Sequence, residues 1–199
     1  MREPISGDAR LALDLALTIR HDGNGGVADD LTDPAGLTAW VRAHPEVLPD
    51  AGRFTAGAAQ LATVRDLRAA VRALFAHAVR PGTPSPADAA RLLPVPEAVR
   101  RLNEAAARTP TVPVLDWPEG TGPDVRHQPA HGGDDLASAL AHAVIAFLTG
   151  PDRDRLRACH APRCVRYFLK GHPRQEWCTP SCGNRARVAR HHQRHRTPA

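Results

Sequence analysis

The chain has 199 residues and a formal net charge of +5, with 42% apolar and 24% charged residues. That length suits one ordinary domain with a small appendage. No stretch approaches the roughly 18 apolar residues of a membrane span. Asp14 interrupts the apolar N-terminal stretch and no small-residue cleavage site follows it, so a cytoplasmic protein is expected.

Residues 9–20 are rich in Leu and Ala, which favour helix, and predict a mostly buried helix despite the alternation of Leu11, Leu13, Leu15 and Leu17. His21–Gly26 reads as a loop, and Asp33-Pro34 as the cap and first residue of a short helix ending before Pro45. Residues 56–79 give the clearest helix, with Leu61, Val64, Leu67, Val71, Leu74 and Phe75 on one face and Arg65, Arg68 and Arg72 between them. Shorter helices are expected from Pro86 to Leu93 and from Pro96 through Ala106. Residues 109–133 contain five prolines and four glycines. Their apolar residues suggest a small β-hairpin around Glu119-Gly120, packed on the helical body. Asp134 or Asp135 should cap a further helix, ended by a C′ glycine, Gly150, before Pro151.

The charge divides along the chain. Residues 1–150 hold 14 Lys/Arg against 18 Asp/Glu, whereas residues 151–199 hold 12 against 3. All four cysteines lie in the basic segment, as Cys159-x4-Cys164 and Cys178-x3-Cys182. Two close pairs separated by a short insert suit a structural zinc ion, which takes four soft ligands tetrahedrally and supplies folding energy. Two disulfides would need an oxidising compartment, and neither pair has the C-x-x-C spacing of a redox dithiol. His160, His172 and His191 could each replace a thiolate, but four cysteines require none of them.

A core of about forty residues is usually unstable without such a staple. Tyr167, Phe168 and Trp177 are the aromatic bulk available to it. The insert from Tyr167 to Trp177 suggests a small hairpin around Gly171-His172-Pro173. A basic helix follows Cys182, with Arg187, Arg190, His191 and Arg194 on one face and Val188 as the core contact. Knuckle, hairpin and helix together would form a treble-clef-like finger.

Trp177-Cys178, then Cys182-Gly183-Asn184-Arg185, Arg187-Val188 and the basic tail resemble the CGNR zinc finger. In that family the finger follows an alanine-rich N-terminal ABATE domain, in proteins described as stress-induced transcription regulators, mainly of actinobacteria. The resemblance is looser over residues 9–150, resting on the leucine-rich segment ending at Thr18, on Leu37-x-x-Trp40, on Leu67-Arg68 and on Leu102-Asn103. Leu17 stands where the family usually has Asn. The resemblance implies a mainly α fold with a helical domain over residues 1–150 and the finger over residues 151–199. The first part would serve as a ligand-sensing or dimerisation module, with Thr18, Arg68 and Asn103 as candidate ligand contacts.

Function then divides into two classes. In the first, a DNA-binding transcription regulator uses Asn184, Arg185, Arg187, Arg190 and Arg194 against nucleic acid, with a small-molecule effector or homodimerisation on the helical side. In the second, the finger is a zinc-stabilised protein-interaction module, and Asn184 and Arg185 support its own turn. An exposed Arg187, Arg190 and Arg194 stripe favours the first class; neutralisation by Asp152, Asp154 or Glu176 favours the second. No enzyme is expected. No Gly-rich phosphate loop follows a strand, no G-x-S-x-G occurs, and four thiolates leave zinc no open position for water.

Overall fold

The computed structural model describes residues 4–24, 26–48, 50–88, 92–130 and 135–196. Helix α1 spans Gly7–Leu17, opened by the Ser6 hydroxyl accepting from the Ala9 N–H at 3.1 Å. It buries Ala9, Leu11, Ala12, Leu15 and Ala16, the helical spacing that outweighs the alternating leucines. Strands β1 (Ile19–His21) and β2 (Val27–Asp29) then pair antiparallel, with Ile19 opposite Asp29. The segment between them was expected as a loop, but not the pairing that it joins. Runs of three residues are too short to single out strands from the sequence.

Helix α2 (Pro34–Arg42) starts as expected, with the Asp33 carboxylate accepting from the Gly36 N–H at 2.8 Å and Pro34 at its first position. Helix α3 (Ala58–Ala78) is the central element, packed by α1, α4 (Val95–Ala107) and α5 (Leu136–Thr149). The helix expected over Pro86–Leu93 appears as a single 3₁₀ turn, Pro86–Asp88, and residues 89–91 lie outside the described residues. Asp135 caps α5 by accepting from the Ser138 N–H at 2.9 Å; Asp134, the other candidate, lies outside the described residues. The Ser138 hydroxyl in turn donates to the carbonyls of Ala106 and Thr109, locking the start of α5 onto the end of α4. Gly150 ends α5 with φ −87°, so left-handed freedom is not its reason. A Cβ there would lie 2.8 Å from the Ala146 carbonyl oxygen.

Strands β3 (Thr111–Asp116) and β4 (Asp124–Pro129) form the expected hairpin. Its apolar face does not pack away as expected: Leu115 and Trp117 are 67% and 65% exposed, and Val125 opposite Leu115 is 53% exposed. A 3₁₀ turn over Pro151–Arg155 follows, where the Asp152 carboxylate accepts from the Ser6 N–H at 3.0 Å and ties the start of α1 to the end of the helical body.

Arg68 and Arg72 correct the reading of α3. Both were placed between the apolar positions, yet each is only 5% exposed. Arg68 grips both carboxylate oxygens of Asp29 and donates to the Thr18 hydroxyl at 2.8 Å. Arg72 grips both oxygens of Asp88 and reaches the Ala16 carbonyl at 2.7 Å. A buried guanidinium is tolerated where a carboxylate meets two of its donors in bidentate geometry, as Asp29 and Asp88 do here. The Asp29 carboxyl feels burial, which would push it up, but hydrogen bonds from Arg68 and the Leu31 N–H and the Arg68 charge outweigh this and hold it below its ordinary value.

Candidate metal centre and nucleic-acid interface

The last segment begins with β5 (Leu156–Ala158), which pairs antiparallel with β6 (Tyr167–Leu169). The hairpin was expected between the two ends of the Tyr167–Trp177 insert; instead β6 pairs backward, across the first cysteine knuckle. The knuckle extends the ladder, with the Cys159 N–H donating to the Arg166 carbonyl at 2.9 Å and the Cys164 N–H to the Ala161 carbonyl at 2.9 Å. Arg163 takes the turn with φ 64°. Residues 171–177 form a coil in which the Gln175 side chain accepts from the Gly171 N–H at 2.7 Å.

Helix α6 spans Pro180–Arg196. Thr179 caps it: its hydroxyl accepts from the Cys182 N–H at 3.2 Å and its carbonyl from the Gly183 N–H at 3.2 Å. Cys178 therefore lies just outside the helix and Cys182 in its first turn.

The four Sγ atoms of Cys159, Cys164, Cys178 and Cys182 lie within 4.8 Å of one another, and three of the four residues are buried. Cys164 and Cys178 are 3.7 Å apart and Cys178 and Cys182 3.4 Å. A tetrahedron with Zn–S bonds of about 2.3 Å has S···S edges of about 3.8 Å, so the cage fits zinc in size and donor type. Crowding also sets the protons. Hydrogen bonds from Cys164 and Cys178 pull the Cys159 thiol down, while the bond with Cys159 pushes Cys164 up and the bonds with Cys159 and Cys164 push Cys178 up. A divalent cation at the centre would allow all four to be thiolates. With four protein ligands, such an ion braces the fold.

The residues after Cys182 divide by role. Gly183 lies under Trp177: a Cβ there would be 3.1 Å from Trp177 Cδ1. Arg185 turns back, donating through Nη2 to Cys182 Sγ at 3.0 Å and through Nε to the Pro162 carbonyl at 3.2 Å. It joins the second cysteine pair to the first knuckle. Asn184 accepts a hydrogen bond from Arg187. Ala186, 5% exposed, is the core contact expected of Val188, which is 55% exposed.

Arg187, Arg190 and Arg194 are exposed. At 3.6 residues per turn they fall within about 60° around the helix axis, whereas Arg185 points roughly the opposite way. Among the described residues no carboxylate pairs with the three. Asp152 is held by Arg155 at 2.7 Å and Asp154 by Arg153 at 3.4 Å. A groove of about 420 Å³ runs beside the start of this stripe, between Trp177, His172, Arg174 and Arg187, with Glu176 on its wall.

The candidate ligand contacts of the helical part are placed differently. Thr18 and Arg68 do meet, but each is satisfied by the other, by Asp29 and by the Leu15 carbonyl. Asn103 is exposed on α4, and among the described residues no hydrogen bond joins it to either.

One buried network was missed. The Tyr167 hydroxyl donates to Asp88 at 2.7 Å, and Ser85 donates to the Val165 carbonyl at 2.8 Å. Burial first, and the Asp88 charge second, push the Tyr167 hydroxyl up, so it stays a donor. Tyr167 was expected in the finger's own core. It packs edge-on against Phe75 at 5.5 Å, in the core of the helical body. No local signal marked it, because its partners Asp88 and Ser85 lie 79 and 82 positions away.

Fold and site together define a mainly α chain that ends in a four-cysteine finger. The chain belongs to the ABATE family, described as "Putative stress-induced transcription regulator", which it matches over residues 9–151; residues 155–195 match the CGNR zinc finger. A comparison with curated proteins gave no match.

Proposed function

We propose that this protein is a DNA-binding transcription regulator whose zinc-braced finger presents α6 to the duplex. The observation that carries the reading is the exposed stripe of Arg187, Arg190 and Arg194, without a carboxylate partner among the described residues. No acidic residue follows Glu176 in the chain. Seventeen helical residues extend about 25 Å, and a helix fits the B-DNA major groove. In this reading the stripe meets phosphates and base edges, and Asn184 positions Arg187. Arg185 belongs to the cage, so it is removed from the set of DNA contacts. Zinc is the structural ion, and the helical part serves as the sensing or dimerising module.

A second reading, a zinc-stabilised protein-interaction module without sequence-specific DNA binding, is favoured by the contacts that Asn184 and Arg185 make within the finger and by the exposed apolar face of the β3–β4 hairpin, Leu115, Trp117 and Val125. The deciding experiment is binding of the zinc-loaded protein to pooled genomic fragments across a salt series, beside an Arg187→Ala/Arg190→Ala/Arg194→Ala variant. Enrichment of a defined sequence, lost in the variant, supports the regulator. Uniform binding that salt erases reduces the helix to a basic tail on a polyanion. Absence of binding at low salt favours the interaction module.

A further inference from the structure

A cavity of about 360 Å³ lies between the β1–β2 hairpin and the finger, on the side of α6 that carries Arg185. It falls within the size range of small-molecule sites. The hairpin contributes Arg20 and His21, the first knuckle Arg163 and Arg166, and the helix start Thr179 and Arg185.

His21 is the telling residue. Its Nδ1 accepts a hydrogen bond from the Gly23 N–H at 2.8 Å, so in the neutral ring the proton sits on Nε2. That Nε2 is buried and has no hydrogen-bond partner. A buried donor left unmet is costly, and natural structures rarely keep one without a reason. The cations divide in a matching way. Arg20 is held by Asp30 at 2.7 Å and Arg185 by Cys182 Sγ, whereas Arg163 and Arg166 are exposed and form no ion pair among the described residues. The start of α6 adds the partial positive charge of a helix N-terminus.

We propose that this cavity binds a small phosphorylated ligand, its phosphoryl oxygens accepting from the guanidinium groups of Arg163 and Arg166 and, once the ring turns to expose it, from His21 Nε2. Arginine pairs bind phosphate in forked geometry. Cys164, Cys178 and Cys182 also line the cavity, and the four-thiolate cage carries a net −2 once zinc is bound, against four lining arginines of which one is paired with Asp30. The ligand would then bridge the helical part and the knuckle on the face of α6 away from the Arg187 stripe, where an effector can act without covering the DNA-facing side.

The test is calorimetric titration of the zinc-loaded full chain with inorganic phosphate in a phosphate-free buffer, with no DNA present. Saturable one-to-one binding is expected, weakened about tenfold by His21→Phe and abolished by Arg163→Ala/Arg166→Ala, with zinc content unchanged. Binding that survives the knuckle variant but is lost in Arg187→Ala/Arg190→Ala/Arg194→Ala would overturn the proposal, because the stripe would then be the anion site. So would loss of zinc from the knuckle variant with no phosphate binding in the parent, which would leave the two arginines only to balance the thiolates. Displacement of bound phosphate by a short duplex would also overturn it, assigning the cavity to the DNA backbone. Since the titration contains no DNA, it can fail while the regulator reading stands, and the reverse.

Discussion

Arg185 and Arg187 are two residues apart and do different work. The Arg185 guanidinium supports a metal-ligating sulfur, and losing such a partner typically costs 10–100-fold in metal affinity. Arg185→Ala should therefore release zinc to a competing chelator at 10–100-fold lower chelator strength. Arg187→Ala/Arg190→Ala/Arg194→Ala should leave zinc retention unchanged while removing DNA binding. Asp29 gives a second prediction at this scale. Its folded-state pKa lies below the ordinary value, so its pairing with Arg68 contributes stability above the unfolded pKa, near 4. That contribution is lost as pH falls through the folded value. Acid titration of Asp29→Asn, followed by circular dichroism, should show less loss of stability between pH 4 and pH 2 than the parent. The cysteines were legible in the sequence because metal ligation depends on residue type at short spacing. Arg68 and Arg72 were not, because their partners Asp29 and Asp88 lie 39 and 16 positions away and a helical arginine is ordinarily solvated.

Elements show the same division between local and distant causes. The starts of α2 and α5 were legible because a cap acts within four residues: Asp33 and Asp135 each accept from an N–H three positions on. Thr179 caps α6 in the same way, but the helix was expected only after Cys182. The pairing of β6 was not, since nothing in Tyr167–Leu169 names its partner and the knuckle, once folded, selects β5. The hairpin's two faces then belong to different cores. Leu156, Tyr167 and Leu169 enter the helical body, while Phe168 joins the cysteine cluster. This is the period of two on its smallest scale. Tyr167→Phe removes the hydroxyl that Asp88 and the Ser85 N–H share, and should cost about 1–3 kcal/mol in urea unfolding. Tyr167→Ala should cost about 3–5 kcal/mol by also leaving a cavity against Phe75.

At the scale of the molecule, the sequence divides into an acidic and a basic part, while the contacts cross that division. Arg72 of α3 reaches Asp88 and the Val165 carbonyl, and Ser85 reaches the same carbonyl beside Cys164. From sequence alone, Cys178→Ser should unfold the finger and spare the helical body. We predict instead that removing zinc lowers the stability of both. Chelation or Cys178→Ser should shift the single thermal transition of the helical signal downward by several degrees. A body transition unchanged by chelation would show that the two parts melt independently.

The double-faced hairpin bears on where this chain can be cut. A fragment starting at residue 151 would carry Leu156, Tyr167 and Leu169 into water without the helices that seat them. The complementary fragment would open a trough lined by Phe75 and Phe147. Either piece made alone should be less soluble than the whole. The finger is therefore ill suited to transplantation as a cassette, unless residues 156, 167 and 169 are first given polar side chains.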